Sequence, residues 1–270
     1  MNNKLSFPER IVCLTEETTE TLYLLGEDWR IVGISGFTVR PARARREKPR
    51  VSAFTSAKID RIVELRPDLV LGFSDLQADI AAELVRAGIE VHVFNHRSVA
   101  EILRTIAVIG GMIGCEAKAA ALVEQLAAGL DAVRARAAAL PRRPRVYFEE
   151  WDEPRISAIR WVSELIGIAG GDDCFPELAA QSLGKNRIIA DPLEVPRRAP
   201  DIILGSWCGK KFRPENVKAR QGWADVPAIR NDIVREIKSS LILQPGPAAL
   251  TDGIAEIEKT IAEWSARGVS

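Results

Sequence analysis

The residues of this chain that could do chemistry are few, and they recur at similar places. Glu149-Glu150-Trp151-Asp152-Glu153 could supply paired carboxylates for proton transfer or oxygen ligands for a hard cation, with Glu16-Glu17 as the second cluster that either chemistry needs. The commonplace reading of an acidic turn is solvated surface, and hydrogen bonding in a cleft stands between the two. His96 follows the apolar run ending at Phe94, where an imidazole could ligate cobalt or iron, while His92 inside the run reads as structural. A lone histidine without a placed partner is a weak metal signal. Cys208 lies two residues from Lys210, which would favour its thiolate, yet no histidine is placed beside it, so it reads as a cleft residue rather than a nucleophile. Phe37, Phe54, Phe73, Trp151, Trp207 and Gln244 each follow a short apolar run. Aromatic side chains gathered at such places would make a broad apolar surface for a large flat ligand, the plain alternative being core. No nucleotide-binding glycine motif, HExxH, GxSxG or zinc-spaced cysteine pair occurs, so the chain reads as a binding protein with no catalytic cofactor rather than an enzyme.

These residues need elements to place them, and the sequence supplies an alternation of short strands and helices. Strands are expected at Arg10–Leu14, Arg30–Ile34, Leu69–Gly72 and Glu90–Phe94, and again at Val146–Phe148 and Pro200–Gly205. Helices are expected from Thr15 to Leu25, Ser56 to Leu65, Asp75 to Ala87, Val99 to Ile109, Trp161 to Ala169 and Thr251 to Trp264. Arg40–Arg50 reads as a basic, solvent-facing loop, Glu149–Pro154 as an acidic loop, and Leu241–Pro247 as a strand end with a turn. Such alternation predicts an α/β layer with a mostly parallel sheet, whose ligands sit beyond the carboxyl ends of the strands. The pattern occurs twice, with PDLVLG at Pro67–Gly72 and PDIILG at Pro200–Gly205. Between the copies, Ala117–Leu140 is a run of strong helix formers stopped by Pro141 and Pro144. The expected architecture is two Rossmann-like α/β lobes, residues 1–97 and 142–270, joined by a helical connector over 98–141 with one long backbone helix. A ligand would be held in the cleft between the lobes.

Lys plus Arg equals Asp plus Glu at 37 each, so no global field favours nucleic acid or an anionic surface. With 47% hydrophobic residues in 270, the chain can bury real cores. No stretch is apolar enough to span a membrane. Four scattered cysteines and an opening segment without a continuous apolar run lead to the expectation of a cytoplasmic monomer, periplasmic only if the native start has been trimmed.

The helix Ile59–Leu65 with the following PDLVL, the long helix and the second PDIIL resemble the helical-backbone substrate-binding proteins of ABC importers, which carry cobalamin, iron-siderophore complexes or haem. The chain looks most similar to the cobalamin-binding members. That resemblance implies a periplasmic-binding-protein-like fold of the helical-backbone metal-receptor type, and cobalamin or another metal chelate as ligand. It also implies first-lobe ligand aromatics at Phe37, Phe54 and Phe73, and second-lobe ones at Trp151 and Trp207. Glu16, Glu150, Lys210, Cys208 and Gln244 would line the site, and His96 would be an axial ligand if any residue is. Members that dock to a permease carry a surface carboxylate on each lobe; here Asp60 holds the first position and Glu194 lies one residue from the second. The alternatives are a chelatase-like tetrapyrrole or metal-handling enzyme using His96 with Glu149 and Glu150, and a cytoplasmic ligand-sequestering protein uncoupled from a transporter.

Overall fold

The computed structural model describes residues 7–268, so the reading of the opening segment falls partly outside the described residues. The chain packs into two compact units. One takes the chain through His96 together with Ala100–Leu126, and the other takes Arg97–Val99 and everything from Ala127.

In the first unit β1 (Ile11–Cys13), β2 (Ile31–Ser35), β3 (Arg50–Ser52), β4 (Leu69–Phe73) and β5 (Val91–Phe94) form a parallel sheet in the order β3-β2-β1-β4-β5. Parallel neighbours need crossovers, and the helices Glu16–Leu24, Ile59–Glu64 and Ala78–Arg86 lie in three of them, with the short helix Ala44–Glu47 between β2 and β3. Both faces of the sheet are covered, which is why its strands are apolar throughout. Ile11, Cys13, Leu69, Leu71 and Phe73 face one core, and Val12, Leu14 and Val70 face the other with Val51, Ile62 and Leu84. The chain builds outward from β1 to β2 and β3 on one side and places β4 and β5 on the other. The crevice between the ends of β1 and β4 is therefore the topological switch point of this sheet.

The helix Val99–Met112 runs through Gly110 and Gly111, where the sequence predicted a break. A Cβ on Gly110 would stand 2.3 Å from that of Ala119, so this glycine serves close helix packing rather than helix termination. The long helix spans Glu116–Ala137, and the chain passes from the first unit to the second within it. Among the described residues no helix is long and apolar enough to cross a membrane.

The second unit holds β6 (Arg145–Asp152), β7 (Arg155–Ser157), β8 (Asp172–Asp173), β9 (Ile202–Gly205) and β10 (Val234–Glu236). The order is β10-β9-β6-β7, with β8 pairing β6; only the β6–β7 hairpin is antiparallel. Its core gathers Tyr147, Phe175, Ile203, Trp207, Phe212, Trp223 and Val234. Both units are thus α/β with mainly parallel sheets, as expected. The differences are local. The basic stretch contains a short helix, Ala44–Glu47, and ends in β3. The acidic stretch is the end of a strand and its hairpin. Leu241 belongs to the helix Ser239–Ile242, so Gln244 follows a helix and not a strand.

Candidate functional site

At the carboxyl ends of the first sheet, the residue after each strand is decided by the two-residue period of the strand before it. Phe73 is the last residue of β4, two on from Leu71, so it points into the core and is 7% exposed. The expectation that Phe73 follows its strand is corrected on this ground. His96 continues the alternation of β5 past Phe94 and is 2% exposed, its ring centroid 5.0 Å from that of Phe73 and 6.2 Å from that of Phe94. It is therefore a buried imidazole beside these rings, and not a surface loop histidine. Phe54 is half-buried against the same core. Phe37 lies beyond β2 and is 59% exposed. Leu76, which the sequence reading passed over, is 52% exposed in the turn after β4.

Between these apolar groups stands the amino end of the helix Glu16–Leu24, whose polar residues from Glu16 to Thr21 are all buried. The Val39 N–H donates to Glu16 Oε1 at 2.8 Å, and Arg40 Nε donates to Glu20 Oε1 at 2.9 Å, so the loop carrying Phe37 is tied to this helix. Burial pushes the carboxyl groups of Glu16 and Glu17 up to about 7, against the opposing hydrogen bonds from Val39 and Thr15. Neighbouring carboxylates push the same way. Glu17 Oε2 is buried without a hydrogen-bond partner.

At the end of the second sheet, the carboxylates expected to be solvated or catalytic are held by arginines. Glu149 has no exposed surface. Its carboxylate accepts from both terminal nitrogens of Arg220 at 2.6 and 2.9 Å, from the Tyr147 hydroxyl at 2.8 Å and from Trp207 Nε1 at 3.2 Å. Burial, and then the charge of Glu149, hold the Tyr147 phenol well above its ordinary value. Glu150 is paired through both oxygens with the buried Arg187 at 2.7 and 2.9 Å. Lys210 pairs with Asp152 at 2.5 Å and stands 5.1 Å from the Trp207 ring and 5.8 Å from that of Trp151. Trp151 is half-buried, with its Nε1 donating to the Glu153 carbonyl at 2.9 Å. The structure thus gathers Trp151, Trp207 and Lys210 with Glu149, and leaves Cys208 exposed nearby in sequence. Arg187, Arg220 and Gln77 were missed. Only the partner that each meets explains it.

Asp60 is exposed on the helix Ile59–Glu64. Glu194 opens the helix Glu194–Arg198, and hydrogen bonds from Arg198 and then Arg197 hold its carboxyl below the usual range. Among the described residues, no group of three or more His, Cys, Asp or Glu is placed to hold a metal ion.

Two mainly parallel α/β units with a long helix running from one into the other define a class of solute-binding proteins. The periplasmic binding protein family matches residues 11–241, and the chain belongs to it. An uncharacterised ABC transporter substrate-binding lipoprotein of Bacillus subtilis is 24% identical over 263 residues, covering 94% of this chain and 80% of the relative. A vitamin B12-binding protein of Vibrio parahaemolyticus is 23% identical over 247 residues, covering 90% and 86%. Among solved structures, a possible iron-binding, periplasmic solute-binding protein from Staphylococcus epidermidis shares the fold with a TM-score of 0.81 at 21% identity, over 95% of this chain and 99% of that one.

These similarities overturn the expectation of a cytoplasmic protein. The family is named as periplasmic and one relative as a lipoprotein, which points outside the cytoplasm. The cysteine argument failed for a physical reason: Cys13, Cys115 and Cys174 are buried as single thiols in the packed interior, where they behave as small apolar groups in any compartment.

Proposed function

We propose that this chain is the substrate-binding component of an ABC importer for a metal chelate, with a corrinoid as first candidate and haem and ferric siderophores as alternatives. The observation that carries the reading is family membership over residues 11–241 joined to the similarity with a vitamin B12-binding protein across 90% of the chain. The exposed Phe37 beyond β2 and the half-buried Trp151 near the end of β6, with Lys210 5.8 Å from its ring, support it, since a flat chelate needs apolar surface with a few polar contacts. The chelate is cargo and no catalytic cofactor is invoked. A chelatase-like role for Glu149 and Glu150 is disfavoured, because both carboxylates are committed to arginines and neither is available as a base.

The test is calorimetric and spectroscopic titration of the purified protein with cyanocobalamin, dicyanocobinamide, haemin and a ferric trihydroxamate. Corrinoid binding that weakens tenfold or more in Phe37→Ala supports the reading, a factor worth about 1.4 kcal/mol. Haemin binding alone would replace the corrinoid, and metal insertion into a porphyrin by the purified protein would replace the class. Asp60, with Glu194, is proposed to meet basic residues of the permease. Asp60→Lys should then lower uptake in a reconstituted importer and leave chelate affinity unchanged; equal uptake would remove this role.

A further inference from the structure

The switch point between β1 and β4 is where an open α/β sheet meets its ligand, and the turn after β4 forms one wall of it. That turn is built around one buried amide. Gln77 has no exposed surface; its Oε1 accepts the Phe73 N–H at 2.9 Å and its Nε2 donates to the Phe54 carbonyl at 2.8 Å. A single side chain therefore ties the turn after β4 to the loop after β3. Gly72 makes room for it, since a Cβ there would stand 2.7 Å from Gln77 Oε1. Ser74, at φ 75°, then swings the chain over, and its hydroxyl caps the turn by accepting from the Leu76 N–H at 3.4 Å. The result is a fixed turn that buries Phe73 and Gln77 and holds Leu76 outward, 52% exposed.

A singly exposed leucine is ordinary on a protein surface. This one is set apart by its place and its support. β2 and β4 both border β1, so Phe37 and Leu76 project from strands about 10 Å apart, two strand spacings, on either side of the β1 turn. We propose that Leu76 is the apolar ligand contact of the β4 turn, in the role the sequence suggested for Phe73, and that Gln77 is the positioning residue that holds it there. The chemistry recognised is the flat apolar face of a metal-chelate macrocycle, so the inference rests on the function proposed above.

The experiment measures affinity and melting temperature with whichever of cyanocobalamin, dicyanocobinamide and haemin the wild-type protein binds. Leu76→Ala should weaken binding tenfold or more, Leu76→Met should restore most of it, and neither should lower the melting temperature appreciably. Gln77→Glu keeps the acceptor for Phe73 and, when ionised, loses the donor to Phe54. Its affinity relative to wild type at the same pH should therefore be low at pH 8 and recover as the new carboxyl is protonated towards pH 5. A purely structural glutamine would show no such recovery. Unchanged affinity in Leu76→Ala, or a Gln77→Glu profile parallel to wild type, overturns the inference while leaving the functional reading intact. If none of the three chelates binds wild type, the functional reading fails and the inference fails with it.

Discussion

Glu17 is a buried carboxyl whose chemistry departs from what its type suggests. A carboxyl whose folded value lies near 7 rather than 4.5 binds its proton more tightly in the folded than in the unfolded chain. Its contribution to stability is complete below pH 4.5 and is lost as the pH rises through 7. Glu17→Gln cannot ionise, so denaturant titrations should find variant and wild type of similar stability near pH 4.5 and the variant ahead by up to roughly 3 kcal/mol at pH 8. A gap that stays constant with pH would show that Glu17 titrates normally. Glu149 is the opposite case, a buried charge fully matched by donors. Glu149→Ala leaves the half-buried Arg220 without its partner and should cost about 3 kcal/mol in urea unfolding at neutral pH. A loss under 1 kcal/mol would mean that Arg220 finds another partner or water.

At the scale of elements, the two consecutive helices in the middle of the chain illustrate how a glycine can be misread. Gly110 sits where Val99–Met112 presses against Ala119 of the following helix. Gly110→Ala forces the two apart by overpacking and should cost about 1–3 kcal/mol, although alanine is the better helix former by up to about 1 kcal/mol. Melting of the variant decides between those two effects, since propensity alone predicts a gain. The strand ends teach a related lesson. Phe73 and Phe37 look alike in sequence, but Phe73 is the last residue of β4 and lies in the core, while Phe37 stands two residues beyond β2 and is exposed.

For the whole molecule, the helix Glu116–Ala137 carries the chain from the first unit, which it leaves after Leu126, into the second. Leu126→Pro removes a backbone donor and clashes with the preceding turn, at a cost of about 3 kcal/mol or more. Calorimetry should then resolve two transitions, one for each unit; a single transition at lower temperature would show that the units unfold together without an intact helix. Sedimentation velocity is expected to find a monomer.

What the sequence determined by itself was whatever depends on period and propensity. Apolar runs such as Ile11–Cys13, Leu69–Leu71 and Ile202–Leu204 gave the strands, the paired PDLVLG and PDIILG segments the twofold plan, and the helix formers after Ala117 the long helix. The resemblance to substrate-binding proteins rested on the same residues. What only the tertiary structure decided was which residues meet. The acidic run became the end of β6, its carboxylates matched by Arg187 and Arg220 from 37 and 71 residues further on. The pairing of Gln77 with Phe54 spans 23 residues and has no local signal. Ion pairs and hydrogen bonds of this kind form between groups brought near by the packing of whole elements, so their partners are not encoded in any short stretch of chain, whereas strand and helix are set by neighbours one to four residues away.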